Sequence, residues 1–93
     1  MRRLRISSAM SRRLGDCGLS RTATVRFLLR LRDDLENHYQ HFRSMRHPRN
    51  PEFFGYLLAV ADGAVMHRFS FIIDDSTSPD HLFIIDFWHE SGA

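Results

Sequence analysis

The chain has 93 residues, of which 43% are hydrophobic and 12% aromatic. This length allows one hydrophobic core and excludes large multi-step catalytic machinery, while the apolar content excludes a chain that is disordered throughout. The formal net charge is only +2, from 13 basic and 11 acidic residues. The longest uninterrupted apolar stretches fall far below the roughly 20 residues that span a bilayer, so the sequence predicts a soluble protein.

The charges are distributed unevenly along the chain. Residues 1–32 hold nine of the 13 basic residues, all arginines, and a single acid, Asp16, whereas residues 50–93 hold Arg68 and seven acids. A cationic end can steer RNA or DNA, because phosphate contacts release counterions whatever the base sequence; the alternative is a solvated charge run. The arginines predicted to bind nucleic acid are Arg2, Arg3, Arg5, Arg12, Arg13 and Arg26.

Residues 1–22 combine arginine, serine and glycine with scattered apolar side chains that are too sparse to pack independently. We therefore predict a flexible or weakly helical arm over 1–22, followed by an α+β domain over 23–93. An Arg- and Ser-rich segment with few acids is also typical of a mitochondrial presequence, and an over-long gene start is the third interpretation. Cys17 has no second cysteine to pair with, which indicates either a reducing compartment or a protein indifferent to redox state, and the cytoplasm is the predicted location.

A helix is predicted over residues 29–45. Large apolar residues recur there at three-, four- and seven-residue intervals and share one helical face. They are Leu28, Leu31, Leu35, Tyr39 and Phe42. Residues 24–28 are β-branched and aromatic, so they fit either the first turn of this helix or a short strand before it.

The segment after this helix contains two prolines, Pro48 and Pro51, which end the helix. Asn50 fits an N-cap and Pro51 a first-turn proline, so a short second helix over 51–61 is the preferred interpretation, with Gly63 ending it. The alternative is a strand over 56–60 that turns at Asp62 and Gly63.

Two strands are predicted over residues 65–73 and 81–89, joined by a loop of turn-forming residues. The fold class is therefore α+β, with one or two N-terminal helices packed on a small antiparallel sheet that ends in this hairpin. If Arg68 lies opposite Asp86, one face of the hairpin is almost wholly apolar. That face comprises Val65, His67, Phe69, Phe71, Ile73, Phe83, Ile85 and Phe87. The other face shows Met66, Arg68, Ser70, Asp86 and Trp88.

The sequence offers few residues for chemistry. Six histidines lack the spacing of a zinc site and no CxxC pair exists, so neither a metal nor another cofactor is expected. There is no Gly-x-Ser-x-Gly nucleophile elbow. What remains is the exposed hairpin face, where Arg68 offers a cation for phosphate and Trp88 a platform for a base, with His89 and Glu90 as candidates for proton transfer. The alternative is that Arg68 pairs with Asp86 and Trp88 is part of the core.

Two segments resemble the RelE/ParE superfamily of toxins from toxin–antitoxin modules. The first segment resembles the family's opening strand at VRF (25–27) and its first helix at DLE (34–36) and Tyr39. The second segment resembles the family's arginine-bearing strand at HRFSFIIDD (67–75). It also resembles the family's last strand, which ends in histidine, at residues 82–89. Two features differ from the family. Between the first helix and the hairpin the family has a long second helix and a strand, and this stretch is shorter in the present chain. The chain also lacks the family's basic tail after the final histidine, His89.

The resemblance implies a toxin-like protein, or a remnant of one, with a cognate antitoxin as its partner. In one branch such proteins are metal-independent endoribonucleases that cut mRNA at the ribosome, and Arg68 and His89 take the positions of the catalytic groups. In the other branch they inhibit DNA gyrase without catalysis. The rival interpretation is a non-enzymatic nucleic-acid-binding or adaptor protein that uses its arginine-rich arm.

Overall fold

A computed structural model of the protein describes residues 2–42 and 52–92. The elements follow in chain order as β1 (Arg3–Arg5), α1 (Ser8–Gly15), α2 (Arg21–Arg32), a π-helical turn (Asp33–Asn37), α3 (His38–Phe42), β2 (Phe53–Asp62), β3 (Val65–Asp74) and β4 (His81–Gly92). The strands form one sheet in the order β1-β4-β3-β2. The predicted α+β class is confirmed; the sheet is mixed, because β1 runs parallel to β4 and the other pairs are antiparallel.

The N-terminal segment is folded, whereas the sequence predicts a flexible arm over 1–22. Leu4 in β1 is only 3% exposed and lies opposite Leu82 of β4. The Leu4 amide donates to the carboxylate of Glu36 at 2.8 Å, and Ser7 caps α1 by accepting from the amide of Met10. The segment packs because later elements provide the apolar surface that its own few side chains could not supply.

Helix α2 begins at Arg21, eight residues before the predicted start at 29. Ser20 is its N-cap, and residues 24–28 are helical, so the alternative of a strand there is wrong. The same holds for the strand that the family resemblance implies at 25–27. A π-helical turn interrupts the predicted helix at Asp33–Asn37, and α3 continues it to Phe42. Residues 43–45 of the predicted helix lie outside the described residues.

Residues 53–62 form strand β2, and the preferred helix over 51–61 is wrong. Its side chains alternate, with Phe54, Tyr56, Leu58 and Val60 buried, which is the period of a strand rather than a helix. The strand turns into β3 through two residues, the first of which is Gly63 with φ +61°, as a tight hairpin turn requires. The proposed cap at Asn50 and Pro51 lies outside the described residues.

The β3–β4 hairpin is confirmed, but its register differs from the predicted one. Arg68 lies opposite Glu90, four residues beyond Asp86, and a bulge interrupts the pairing between Ile72 and Ile73. The bulge leaves Ile85 without an opposite residue on β3, so the side chains of β4 before Ile85 point to the faces opposite to those predicted. As a result the buried residues of this part of β4 are Leu82 and Ile84, not the predicted Phe83 and Ile85.

All the helices that the structure describes pack on one face of the sheet. Phe27 of α2 lies against Phe69 of β3, with ring centroids 4.6 Å apart. The fully enclosed side chains of this core are Tyr56, Phe54, Phe71, Leu31, Leu35, Ile73 and Leu82. The opposite face of the sheet, called the outer face below, carries the alternating residues of β2, β3 and β4 and positions the candidate site.

Candidate functional site

The outer face brings Arg68, Ser70, Trp88 and Glu90 together. Ser70 lies directly opposite Trp88, and Arg68 directly opposite Glu90. These four side chains also line one shallow open groove. Arg68 and Trp88 are thus diagonal neighbours on adjacent strands, with backbone positions about 7 to 8 Å apart. A guanidinium and an indole therefore share one surface, as the alternation of the hairpin predicts.

The side chains on this face are available to a ligand. Trp88 is 55% exposed, and Arg68 and Glu90 are both exposed. Neither of these two forms an ion pair or a side-chain hydrogen bond with any residue in 2–42 or 52–92. The predicted alternative, a pair between Arg68 and Asp86, does not form because the register places them four residues apart. Trp88 is not part of the core.

His89 lies on the opposite face from Arg68. It is paired with Phe69, whose side chain is in the core, and its ring centroid lies 4.8 Å from that of Phe69. The two predicted catalytic residues are therefore not brought together. Adjacent residues of a strand point to opposite faces of the sheet. Residues two positions apart therefore share a face, and Glu90 lies with Trp88 on the outer face, next to Arg68.

His89 is engaged with a second histidine. Its Nε2 atom lies 2.9 Å from Nδ1 of His67, and the rings are stacked at 5.1 Å. His67 is 4% exposed. Burial lowers the pKa of His89 below its ordinary value of 6.5, and the neighbouring His67 lowers it further. His89 is therefore neutral at pH 7 and acts as a packing and hydrogen-bonding group between β3 and β4.

Three of the six arginines predicted to bind nucleic acid make contacts within the fold. Arg13 of α1 donates to Asp86 at 2.7 Å and to the carbonyl of Phe87 at 3.0 Å, and its guanidinium covers the Phe87 ring at 4.4 Å. The bond from Arg13 holds the pKa of Asp86 below its usual range. Arg13 therefore fastens α1 to β4.

Arg2 and Arg26 are engaged in the same way. Arg2 donates to the carbonyl of Asp75 and stacks over the ring of Tyr39 at 5.0 Å. Arg26 donates to the carbonyl of Ala61 at 2.8 Å. Sequence reasoning missed these roles because the partners lie 35 to 73 positions away, and no local pattern reports them.

The remaining three arginines, Arg3, Arg5 and Arg12, are exposed. None of them forms a side-chain hydrogen bond or ion pair within the part of the chain that the structure describes. Arg3 and Arg5 flank Leu4 on β1 and point away from the core. They retain the positive charge that the sequence places at this end.

The described residues contain no group of three histidine, cysteine or carboxylate side chains able to hold a metal ion. None of their helices is long and apolar enough to cross a membrane. No protein-family model matches the chain, and no curated protein or solved structure shows significant similarity to it.

Proposed function

We propose that this chain is a toxin-like component of a toxin–antitoxin module that acts on single-stranded RNA through the outer face of its sheet. The observation that carries the proposal is that exposed Arg68 and exposed Trp88 are diagonal neighbours on one open surface. Arg68 has no side-chain partner among residues 2–42 and 52–92. Single-stranded RNA is bound in this way, with bases stacked on aromatic side chains and phosphates held by arginine.

The toxin interpretation rests on the family resemblance, and the order of elements that this resemblance implies can be compared with that of the chain. The resemblance implies an opening strand, two helices and then three strands, of which the second carries the arginine. The chain has β1, then α1 and α2, the π-helical turn and α3, and then β2, β3 with Arg68, and β4. Residues 25–27, which carry part of the resemblance, are helical, so the two orders agree only if β1 (Arg3–Arg5) takes the place of the family's opening strand.

The arrangement also indicates which residues would cut RNA. Arg68 stabilises the negative charge that develops on the phosphate, and Glu90, directly opposite it, accepts the proton of the attacking 2′-hydroxyl. The 2′-oxygen bonds to phosphorus as the bond from phosphorus to the 5′-oxygen breaks, and the departing 5′-oxygen takes a proton from water, which leaves a 2′,3′-cyclic phosphate and a 5′-hydroxyl. We assign the role of proton acceptor to Glu90 rather than to the predicted His89, because the His89 ring lies on the inner face with its Nε2 atom 2.9 Å from Nδ1 of His67. Trp88 positions the base next to the cleaved bond. Apart from that water, these steps use only side chains of this chain.

Binding can be measured through the protein's own fluorescence, because Trp88 is its only tryptophan. Titration with a short single-stranded RNA should quench this fluorescence, and Arg68→Gln should weaken binding by about tenfold or more, the effect of losing about 1.4 kcal/mol. The matched control is Arg12→Gln, which removes an exposed arginine away from this face. Equal losses in both variants would mean that only net charge matters and would remove Arg68 from the site.

Cleavage is tested by inducing the protein in cells and by incubating it with mRNA. Glu90→Gln should abolish cleavage and growth arrest while RNA binding persists, and His89→Gln should retain both activities in the fraction that stays folded. Loss of cleavage in folded His89→Gln, with Glu90→Gln active, would return the catalytic role to His89. Growth arrest without RNA binding would favour DNA gyrase as the target. The cognate antitoxin should relieve arrest in either case.

A second candidate is a nucleic-acid-binding adaptor without catalysis, and exposed Arg3, Arg5 and Arg12 favour it. In that case affinity falls steeply with salt, because each neutralised phosphate releases counterions. Replacing these three arginines by glutamine should then reduce the slope of log K against log salt by roughly 2 to 3. An unchanged slope would remove this candidate and leave the outer face as the binding surface.

A further inference from the structure

We propose that two copies of this chain pair edge to edge through β2 and form a symmetric dimer with one continuous eight-stranded sheet. β2 is the last strand of the sheet, and no other described strand pairs with its second edge. It is ten residues long, and Asp62 at its end is its only charged residue. Long, uncharged edges are templates for pairing with another strand, and proteins that stay monomeric protect them with charges, proline or bulges.

The bond between Arg26 and Ala61 shows which main-chain groups point outward. Arg26 binds the carbonyl of Ala61, while Asp62 pairs with Val65 across the two-residue turn, so the groups of Ala61 point away from β3. Because this direction alternates along a strand, every second residue presents both its amide and its carbonyl to the free edge. Those residues are Phe53, Gly55, Leu57 and Ala59.

Antiparallel pairing of two such edges about a two-fold axis at Tyr56 sets Gly55 opposite Leu57 of the second copy, and Phe53 opposite Ala59. The four outward residues of each copy would exchange about eight hydrogen bonds. This register leaves the capping bond from Arg26 to Ala61 intact. It also brings no like charges together, since none of the paired residues is charged.

The side chains at the centre of this register are complementary. Leu57 is 77% exposed, the highest exposure among the large hydrophobic residues described. Within residues 2–42 and 52–92 nothing requires a glycine at position 55: its φ is not positive, and an added Cβ would meet only the carbonyl oxygen of Phe71 at an ordinary 4.0 Å. Glycine weakens a strand and often marks close approach of another chain. Leu57 of the second copy fills the space that Gly55 leaves.

Symmetry makes each contact occur twice, as an isologous interface requires. The pairing also joins the two outer faces side by side, so the surfaces carrying Arg68 and Trp88 become parts of one longer sheet. The inference does not depend on the proposed action on RNA, because it rests on the geometry of β2 alone.

Sedimentation of the full chain over micromolar to millimolar concentrations tests the dimer. The wild type should pass from monomer to twice that mass, and Leu57→Glu and Gly55→Val should each raise the dissociation constant at least about tenfold. Gly55→Val should keep or raise the melting temperature of the monomer, because a β-branched residue suits a strand. The controls are Ile85→Glu, an exposed apolar residue of β4, and Gly92→Val, where an added Cβ meets nothing.

Cross-linking tests the register in a Cys17→Ser background. A mixture of Gly55→Cys and Leu57→Cys chains should oxidise to a mixed disulfide, because directly opposite residues lie about 5.5 Å apart. Three results would overturn the proposal: a wild type that stays monomeric throughout, a dimer unaffected by both interface variants, or faster cross-linking of Leu57→Cys with itself than with Gly55→Cys.

Discussion

Replacing Leu4 by alanine tests whether the N-terminal segment is part of the fold. Leu4 is 3% exposed and lies against Leu82 in the core. Leucine-to-alanine changes in cores cost about 2 to 5 kcal/mol, depending on how far the site collapses. Because β1 has only three residues and lies at a sheet edge, it can relax into the space, and we expect about 2 to 3 kcal/mol.

Urea unfolding at one fixed protein concentration measures this loss. For a domain of this size the urea dependence is roughly 1 to 1.5 kcal/mol per molar, so the midpoint should fall by about 2 M. Leu29→Ala makes the same chemical change at a leucine that is 65% exposed, and it should cost less than about 0.5 kcal/mol. If the two variants unfold at the same midpoint, β1 is not docked and the segment is a flexible arm.

Acidification should destabilise the fold through His89, whose pKa is lowered below 6.5 by burial and by His67. The unfolded chain binds the proton more readily than the folded chain, so stability falls as pH drops below about 6.5. The melting temperature of His89→Phe should change less between about pH 7 and about pH 5 than that of the wild type, and an equal change would contradict this. Tyr56→Phe removes the bond to the Asp34 carboxylate and should cost about 1 to 2 kcal/mol in urea unfolding; no loss would mean that water replaces the hydroxyl. Gly63→Ala should cost about 1 kcal/mol because φ there is +61°, and a neutral result would show that the turn relaxes.

The sequence determines the hairpin of β3 and β4 and the part of its outer face that holds Arg68, Ser70 and Trp88, but not the side on which Phe83 and Ile85 lie. Alternation of polar and apolar side chains is a local signal with a period of two, so it identifies Arg68 and Trp88 as neighbours on one surface without knowledge of the rest of the chain. It does not set the register, because a shift of four residues keeps the same residues on the same face. No glycine or turn-forming residue next to Ile85 predicts the bulge there.

Only the tertiary structure decides the state of the segments whose local signals are weak or conflicting. Residues 53–62 carry both a helix-start pattern and strand alternation, and pairing with β3 selects the strand. The segment with Leu4 has too few apolar residues to fold alone, and it is held by Leu82 and Glu36, 78 and 32 positions away. Contacts between residues so far apart in sequence stabilise the fold by burying apolar surface and by forming main-chain hydrogen bonds. Neither composition nor periodicity predicts which residues make them. The same reason explains why the sequence does not reveal the contacts of Arg2, Arg13 and Arg26 with distant residues of the fold.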